Sequence, residues 1–404
     1  MKRNQFWAAA GRALTVVPAI ALALSAALSA QVQTEPNWKN SSTIVVYTFT
    51  GQADGMYPRA GLIRDQAGNF YGVAQSGTYG GGTVFKLDET GALSVLYSFA
   101  GAPDGERPVA ALTRDAVGNL YGTTEVGGDP NCSIYGHTGC GTVFKVDSTG
   151  KETILHRFSG GADGAYPTGG LVLDYKGNVY GTTSSGGSGG VYGMGVVFKV
   201  DTNGKFTVLH TFDGWGANPS ASMILHSGVL YGTTVSGNAG TIFKMDKSGR
   251  NFALLYMFSG ADGAHPSAEL FRDTAGNLYG TTAEGGEYGA GTVFKLDTTG
   301  KLTVLHSLDG GHEGSRPLAG VVRDYKGNLY GTTWEGGDNY YGTVFKVDST
   351  DILTVLHTFA AGQQDGATPF GTLVRDRSGW LYGITESGGS GPYGGCGIVF
   401  KLHP

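Results

Sequence analysis

The dipeptide Tyr-Gly recurs seven times along this chain at nearly constant spacing, and successive copies lie 50, 59, 51, 48, 51 and 52 residues apart. A Phe-Lys pair follows each copy and a proline precedes each one. The three sets of residues are Tyr71, Tyr121, Tyr180, Tyr231, Tyr279, Tyr330 and Tyr382; Phe85, Phe144, Phe198, Phe243, Phe294, Phe345 and Phe400; and Pro58, Pro108, Pro167, Pro219, Pro266, Pro317 and Pro369. A period of this length indicates seven copies of one structural unit.

One unit, residues 259–308, contains four short runs rich in β-branched and aromatic residues, separated by turn sequences. Two of the turns have the form Asp-x-x-Gly, which is typical of tight hairpins. Glycine accounts for 71 of the 404 residues, and no stretch beyond the first thirty shows helical spacing of apolar residues. The pattern predicts an all-β, seven-bladed β-propeller with four antiparallel strands per blade. A β-helix is the structural alternative, but its coils are shorter and need no paired hairpin turns.

The two ends of the chain are complementary. The last copy stops at Leu402 and lacks a fourth strand, whereas residues 43–49 form a surplus strand that resembles the fourth strands of other copies. We therefore expect the N-terminal strand to complete the last blade, which removes the exposed sheet edges.

The repeated phrase GNLYGTT…GTVFKLD…LTVLHSF, followed by G..DG..P, resembles the Gloeo/Verruco tandem repeat (GloVer repeat) of bacterial secreted and surface proteins. The resemblance covers the chain from about Ser42 to its end, and it implies a propeller fold and export. The repeated phrase is also similar, more loosely, to the repeats of NHL-type and streptogramin-lyase-like propellers. The family carries no established reaction that can be assigned to residues here.

The first thirty residues predict a secretory signal peptide, with Lys2, Arg3 and Arg12 ahead of an apolar run and small residues up to Ala30. A retained membrane anchor is the alternative, although the run is short for a full span. We expect cleavage near Ala30, a short linker at residues 31–41, and one propeller domain at residues 42–404. The protein is then secreted, either extracellular or periplasmic.

Removing the three cations of the signal peptide lowers the net charge from −5 to −8, which argues against nucleic acid as a partner. No membrane span is expected in the mature chain, which we expect to be monomeric.

The propeller connectivity separates long loops from short turns. The loops between blades and those between the second and third strands are long and share one face, whereas the Asp-x-x-Gly turns occupy the other. Because function on a rigid scaffold usually lies in long loops, that face is the predicted binding face. Residues that recur from blade to blade are expected to be structural. The fourth strand carries His156, His210, His306 and His357, where other copies have Tyr47, Tyr97 and Tyr256. A ring spreads these histidines too far apart to share one metal ion.

Residues that are peculiar to single blades are therefore the candidate ligand-binding residues. Aromatic rings beside carboxylates and amides suit a carbohydrate or peptide ligand, although exposed loop decoration is the alternative for each residue. The candidates are Trp334, Glu335, Asp338, Tyr340 and Tyr341 in blade six, Trp215 in blade four, Tyr135 and His137 in the insertion of blade two, and His265 and His312 near the loop prolines.

Cys132 and Cys140 lie in one loop and are predicted to form a disulfide in an oxidising compartment, with Cys396 unpaired. No cofactor and no metal site is predicted. No catalytic residue is predicted either, because the one Gly-x-Ser-x-Gly match lies in a glycine-rich loop with no helix after it. The sequence favours a non-enzymatic extracellular recognition or surface-associated module. A lyase or hydrolase acting on an extracellular glycan or related polar substrate is the alternative, since paired acids can come from distant loops.

Overall fold

The computed structural model describes residues 43–77, 80–214, 216–391 and 394–404. The predicted signal peptide at residues 1–30 and the predicted linker at residues 31–41 lie outside the described residues. Within the described part of the chain, no helix is long and apolar enough to cross a membrane.

Seven four-stranded antiparallel sheets form the fold, one for each repeat. The strands of blades one to three are Ile63–Arg64, Phe70–Ala74, Thr83–Leu87 and Leu93–Ser98; Thr113–Arg114, Leu120–Thr124, Thr142–Val146 and Glu152–Arg157; Val172–Leu173, Val179–Thr183, Val196–Val200 and Phe206–Thr211. Those of blades four to six are Ile224–His226, Val229–Thr234, Thr241–Asp246 and Ala253–Met257; Phe271–Arg272, Leu278–Thr282, Thr292–Leu296 and Leu302–Ser307; Val322–Arg323, Leu329–Thr333, Thr343–Val347 and Leu353–Thr358. The predicted seven-bladed β-propeller is confirmed.

Blade seven combines the two ends of the described chain. Its strands are Gly366–Arg375, Leu381–Gly388, Ile398–Leu402 and, from the N-terminal side, Ile44–Thr48. Ile44 pairs with Lys401 and Thr48 with Ile398, with a bulge between them. The Phe49 N–H extends the pairing by donating to the Gly397 carbonyl at 3.0 Å. The N-terminal strand therefore closes the ring, as the sequence predicts.

Three short elements lie outside the seven four-stranded sheets. In blade two, Gly105–Glu106 pairs with Val126–Gly127, and Ser133–Ile134 pairs with His137–Thr138. A short 3-10 helix occupies Gly190–Tyr192 in blade three.

The Tyr-Gly and Phe-Lys repeats have a direct packing cause. A Cβ placed on Gly72 would lie 2.6 Å from the Phe85 ring, so the second strand needs glycine where the third-strand phenylalanine crosses it. The tyrosine hydroxyl of the same pair donates to the aspartate of the first hairpin turn, as Tyr71 does to Asp65 at 3.1 Å. A phenylalanine after the fourth strand then packs against the next blade, as Phe99 does against Phe144 with ring centroids 5.0 Å apart. Each repeated residue therefore stabilises either a single blade or the contact between two neighbouring blades.

The recurring histidines and tyrosines of the fourth strand hold the long loops. His156 forms a 3.0 Å hydrogen bond with Asp163 and stacks on Phe206 of the next blade at 3.7 Å. Tyr47 donates to Asp54 at 3.0 Å, and burial together with that carboxylate raises the pKa of Tyr47 to about 12. The aspartates also accept loop N–H groups, as Asp54 does from Thr50 at 2.7 Å. These repeated polar residues therefore build turns and blade contacts.

The two faces of the propeller carry different kinds of connection, as the sequence analysis predicts. In most blades the loop before the first strand bridges the loop after the second strand, for example Ala165 with Ser185 and Ser315 with Glu335. We call this end the long-loop face and the opposite end, with turns such as 65–69 and 88–92, the short-turn face. A central channel of about 380 Å³ opens between the seven first strands and is lined by residues of every blade.

Candidate functional site

The residue before each repeated proline has a left-handed backbone, although none is glycine. Its φ lies between 55° and 59° in all seven blades. The seven residues, which we call the inner rim, are Tyr57, Arg107, Tyr166, Asn218, His265, Arg316 and Thr368. A left-handed conformation costs a non-glycine residue about 1 kcal/mol or more and persists only where the surroundings enforce it.

Blade-to-blade hydrogen bonds enforce this conformation. The Arg316 N–H donates to the Ala290 carbonyl of blade five at 2.9 Å, and the Arg107 N–H donates to the Gly81 carbonyl of blade one at 2.8 Å. Within a blade, the rim carbonyl accepts the N–H of the residue after the second strand, as Arg316 does from Trp334 at 3.1 Å. The inner rim is therefore a rigid ring of side chains at the long-loop mouth of the channel.

Three side chains, Trp334, Glu386 and Arg59, join blades six, seven and one beside this rim. The Trp334 indole N–H donates to Glu386 Oε2 at 3.3 Å, while Glu386 Oε1 forms an ion pair with Arg59. The Arg316 guanidinium lies 5.1 Å from the centroid of the Trp334 ring and 3.7 Å from Glu335. Trp334 is thus held between a cation at its face and a carboxylate at its edge.

The loop after the second strand of blade six carries the other predicted residues of that blade. His312 Nδ1 and Asp338 Oδ1 lie 2.7 Å apart, which ties this loop to the loop that precedes the blade. Beyond this contact, Tyr340 is 79% exposed with φ of 65°, and Tyr341 is 42% exposed. Two aromatic rings therefore stand in solvent on an anchored loop.

Tyr341 borders an open groove of about 530 Å³ between the loops of blades six and seven. Glycines and small polar residues line the rest of it, including Gln363, Ser387 and Ser390. Such a groove offers backbone N–H and C=O groups beside an aromatic face, an arrangement that suits a hydroxylated or amide-bearing ligand.

The insertion of blade two forms a second polar cluster. The structure joins Cys132 and Cys140 by a disulfide, with their Cα atoms 5.7 Å apart, while Cys396 is free and buried. His137 Nε2 lies 2.9 Å from Arg107 Nη1, and Arg107 is paired with Glu125 at 3.2 Å. The exposed Tyr135 ring packs edge-on against Tyr166 and Tyr192, whose centroids lie 5.2 Å and 5.9 Å away.

The predicted residues fall into separate groups around the face. Trp334, Glu335, Asp338, Tyr340, Tyr341 and His312 are brought together in blade six. Tyr135 and His137 lie in the insertion of blade two, and His265 lies in blade five, 3.2 Å from Glu284. Trp215 lies outside the described residues. No group of three or more metal-ligating side chains occurs among the described residues.

Arg59 and Glu386 were not identified by the sequence analysis. Glu386 accepts the Trp334 hydrogen bond, and Arg59 forms an ion pair with Glu386. A signal was present, because Glu386 and Glu125 are the acids at the variable position after the second strand. Similarly, Arg59 is the charged residue among those that directly follow the seven loop prolines.

The fold and this rim define the class: a closed seven-bladed propeller whose blade-specific residues gather on one face. The sequence matches the Gloeobacter/Verrucomicrobia repeat over residues 33–239 and 188–400, and the chain belongs to that family. The resemblance drawn from the sequence is thereby confirmed. No curated protein matches the sequence.

Solved structures share the fold at low identity. The extracellular domain of a protein assigned to a one-component system from B. thetaiotaomicron is 13% identical with a TM-score of 0.56; the match covers 90% of this chain but 42% of that one. Oligogalacturonate lyase from Vibrio parahaemolyticus is 11% identical, with a TM-score of 0.53 and coverage of 86% and 89%. A protein assigned as a 6-phosphogluconolactonase from Bacteroides uniformis is 16% identical, with a TM-score of 0.50 and coverage of 76% and 84%. These identities establish similarity of fold alone.

Proposed function

We propose that this protein is a secreted, non-enzymatic recognition module that binds a glycan through the long-loop face of blades six and seven. The observation that carries the proposal is the pair Tyr340 and Tyr341, exposed on a loop that His312 and Asp338 anchor beside the groove. Aromatic rings stack on the apolar faces of sugars, and the polar groups of the groove supply hydrogen bonds.

Rigidity of the surrounding rim supports this assignment. Trp334 contacts both Arg316 and Glu386 at the start of the loop that carries Tyr340 and Tyr341, so this part of the long-loop face needs no reordering when a ligand arrives. Preorganisation raises affinity because less conformational entropy is lost on binding. A peptide is the second ligand class that the groove suits, since its glycines leave backbone groups accessible.

The extracellular setting rests on the predicted signal peptide and on the resemblance to a family of bacterial secreted and surface proteins. The similar B. thetaiotaomicron domain is extracellular, which agrees with that setting. The described residues that line the groove include Gln363, Ser387 and Ser390 and no facing pair of acids, and this favours recognition over hydrolysis. The fold of oligogalacturonate lyase keeps a lyase acting on a polar glycan as the competing function.

A glycan array probed with the purified mature protein tests the proposal. We expect binding that falls at least tenfold in Tyr340→Ala with Tyr341→Ala, because the stacking surface is lost. Tyr325→Ala is the matched control, since Tyr325 is 85% exposed on the short-turn face, and it should bind as the parent does.

Two outcomes would overturn the proposal. Binding that survives both tyrosine substitutions would remove the groove from recognition. Chromatography of each bound glycan after incubation should return it intact, whereas shortened products would establish the lyase or hydrolase instead.

A further inference from the structure

One carboxylate projects into the central channel, and it comes from one blade alone. Glu269 is the third residue after its loop proline and lines the channel cavity. The equivalent residues of the other blades are small: Gly61, Ala111, Gly170, Ser222, Gly320 and Thr372. A ring built from repeats therefore contains a single acidic side chain at a position where every other blade carries a small residue.

The Glu269 carboxylate has no partner within the described residues. Its surroundings act on it through burial alone, which raises the pKa of Glu269 to about 7. Ser222 and Thr372, at the equivalent positions of blades four and seven, instead accept backbone N–H groups of the preceding blade at 2.9 Å and 3.2 Å. An ionised carboxylate without a partner in such a site is costly, unless a ligand supplies a cation.

The lining of the channel that contains Glu269 combines polar and apolar side chains. Ser220 and Ser267, from blades four and five, each have a buried hydroxyl without a hydrogen-bond partner among the described residues. The lining also contains apolar side chains, among them Val109, Leu318 and Phe370. Unsatisfied buried polar groups are uncommon in native structures and call for an explanation.

We propose that the central channel is a second binding site, which takes a small organic ammonium ion with a short apolar body. Its ammonium group pairs with the Glu269 carboxylate and donates to the hydroxyls of Ser220 and Ser267, while its carbon chain contacts Leu318 and Phe370. The volume of about 380 Å³ accommodates such a molecule.

Charge at the channel mouth favours a cation. Most loops leading to the rim carry an acid whose carboxylate accepts a loop N–H, for example Asp163, Asp262 and Glu313. Arginine flanks the loop prolines only at Arg59, Arg107 and Arg316, and each of these is paired with a glutamate. A mouth with excess negative potential attracts cationic ligands and repels anionic ones.

Titration calorimetry with n-butylammonium chloride tests the site, with butan-1-ol and sodium butyrate as matched probes of the same chain length. We expect saturable binding of butylammonium with a Kd below about 1 mM, and at least tenfold weaker binding of both controls. Glu269→Gln should weaken butylammonium binding at least tenfold, whereas Glu287→Gln, at an exposed position on the long loop of the same blade, should not change it.

The proton balance gives a second measurement that needs no variant. The charged or titratable groups sharing the cavities with Glu269 are Arg59, Arg272 and His226. Binding at pH 6.5 should release a proton from Glu269, so that the heat depends on the ionisation enthalpy of the buffer, and affinity should fall roughly tenfold from pH 8 to pH 6.

The proposal fails if butylammonium does not bind saturably, if butan-1-ol binds equally well, or if Glu269→Gln leaves the affinity unchanged. It also fails if calcium chloride binds at Glu269 and butylammonium does not compete, since the channel would then be a metal site. None of these outcomes depends on the glycan groove of blades six and seven.

Discussion

Trp334 of blade six donates its indole N–H to the carboxylate of Glu386 in blade seven across 3.3 Å. The second oxygen of that carboxylate pairs with Arg59 of blade one. Three consecutive blades are therefore linked by side chains at the point where the ring closes. Trp334 also begins the loop that carries Tyr340 and Tyr341, so this blade junction adjoins the proposed groove.

A double-mutant cycle should detect this link. Hydrogen bonds to charged groups contribute about 1.5–3 kcal/mol, and partial exposure of Glu386 reduces that value. We expect a coupling free energy of about 1 kcal/mol between Trp334→Phe and Glu386→Ala, measured by chemical denaturation. Strictly additive effects would show that the contact does not contribute to stability.

Closure by the N-terminal strand predicts a strong effect of a short deletion. Removing residues 42–50 takes away the strand that pairs with Ile398–Leu402 and exposes a sheet edge. We expect aggregation or loss of a single cooperative unfolding transition, followed by circular dichroism and light scattering. Deletion of the predicted linker, residues 31–41, is the control and should leave the melting temperature unchanged; closure would be refuted if both deletions melted alike.

The fold was predictable because each landmark has a local cause that repeats. Glycine after tyrosine accommodates the phenylalanine ring beside it, as between Gly72 and Phe85, and seven copies of one cause leave a strong periodic signal. Counting the strands at the two ends of the chain was then enough to predict how the ring closes. The proximity of Tyr340 and Tyr341 was also predictable, because one loop carries both.

Contacts that depend on geometry between blades were not predictable from the sequence. The pairing of Glu386 with Trp334 and Arg59 joins residues 52 and 327 positions apart, and no periodic pattern encodes it. The left-handed rim was also missed, because residues before proline ordinarily adopt extended backbone. Glu269 was missed because its significance comes from the ring around it.

Stability should depend on pH through Glu269. Its pKa is raised from 4.5 to about 7 in the folded protein, so the folded state holds the proton more tightly than the unfolded state. The stabilisation from this proton is complete below pH 4.5 and is lost as the pH rises through about 7. We expect the free energy of unfolding of the parent, relative to Glu269→Gln, to fall by roughly 2–3 kcal/mol between pH 5 and pH 8. A flat difference would contradict the raised pKa.

The Cys132–Cys140 bond should stabilise the insertion of blade two. Closing a loop of this size contributes up to about 2.5 kcal/mol, and the loop positions His137 against Arg107. We expect dithiothreitol to lower the melting temperature of the parent and to speed hydrogen exchange in residues 129–140. The variant Cys132→Ala with Cys140→Ala should be insensitive to the reductant; equal sensitivity would place the effect elsewhere.

Export should remove the first thirty residues. The apolar run after Arg12 is the part of a signal peptide that the export machinery engages, and Ser29 and Ala30 are small residues next to the predicted cleavage point. In a bacterial host we expect the exported protein to begin at Gln31, as read by mass spectrometry of its N-terminal peptide. Leu22→Arg should interrupt the apolar run and retain the precursor in the cytoplasm, where Cys132 and Cys140 would stay reduced. Asn37→Ala, beyond the predicted cleavage point, should be exported normally. An uncleaved chain in the membrane fraction would instead establish the retained anchor.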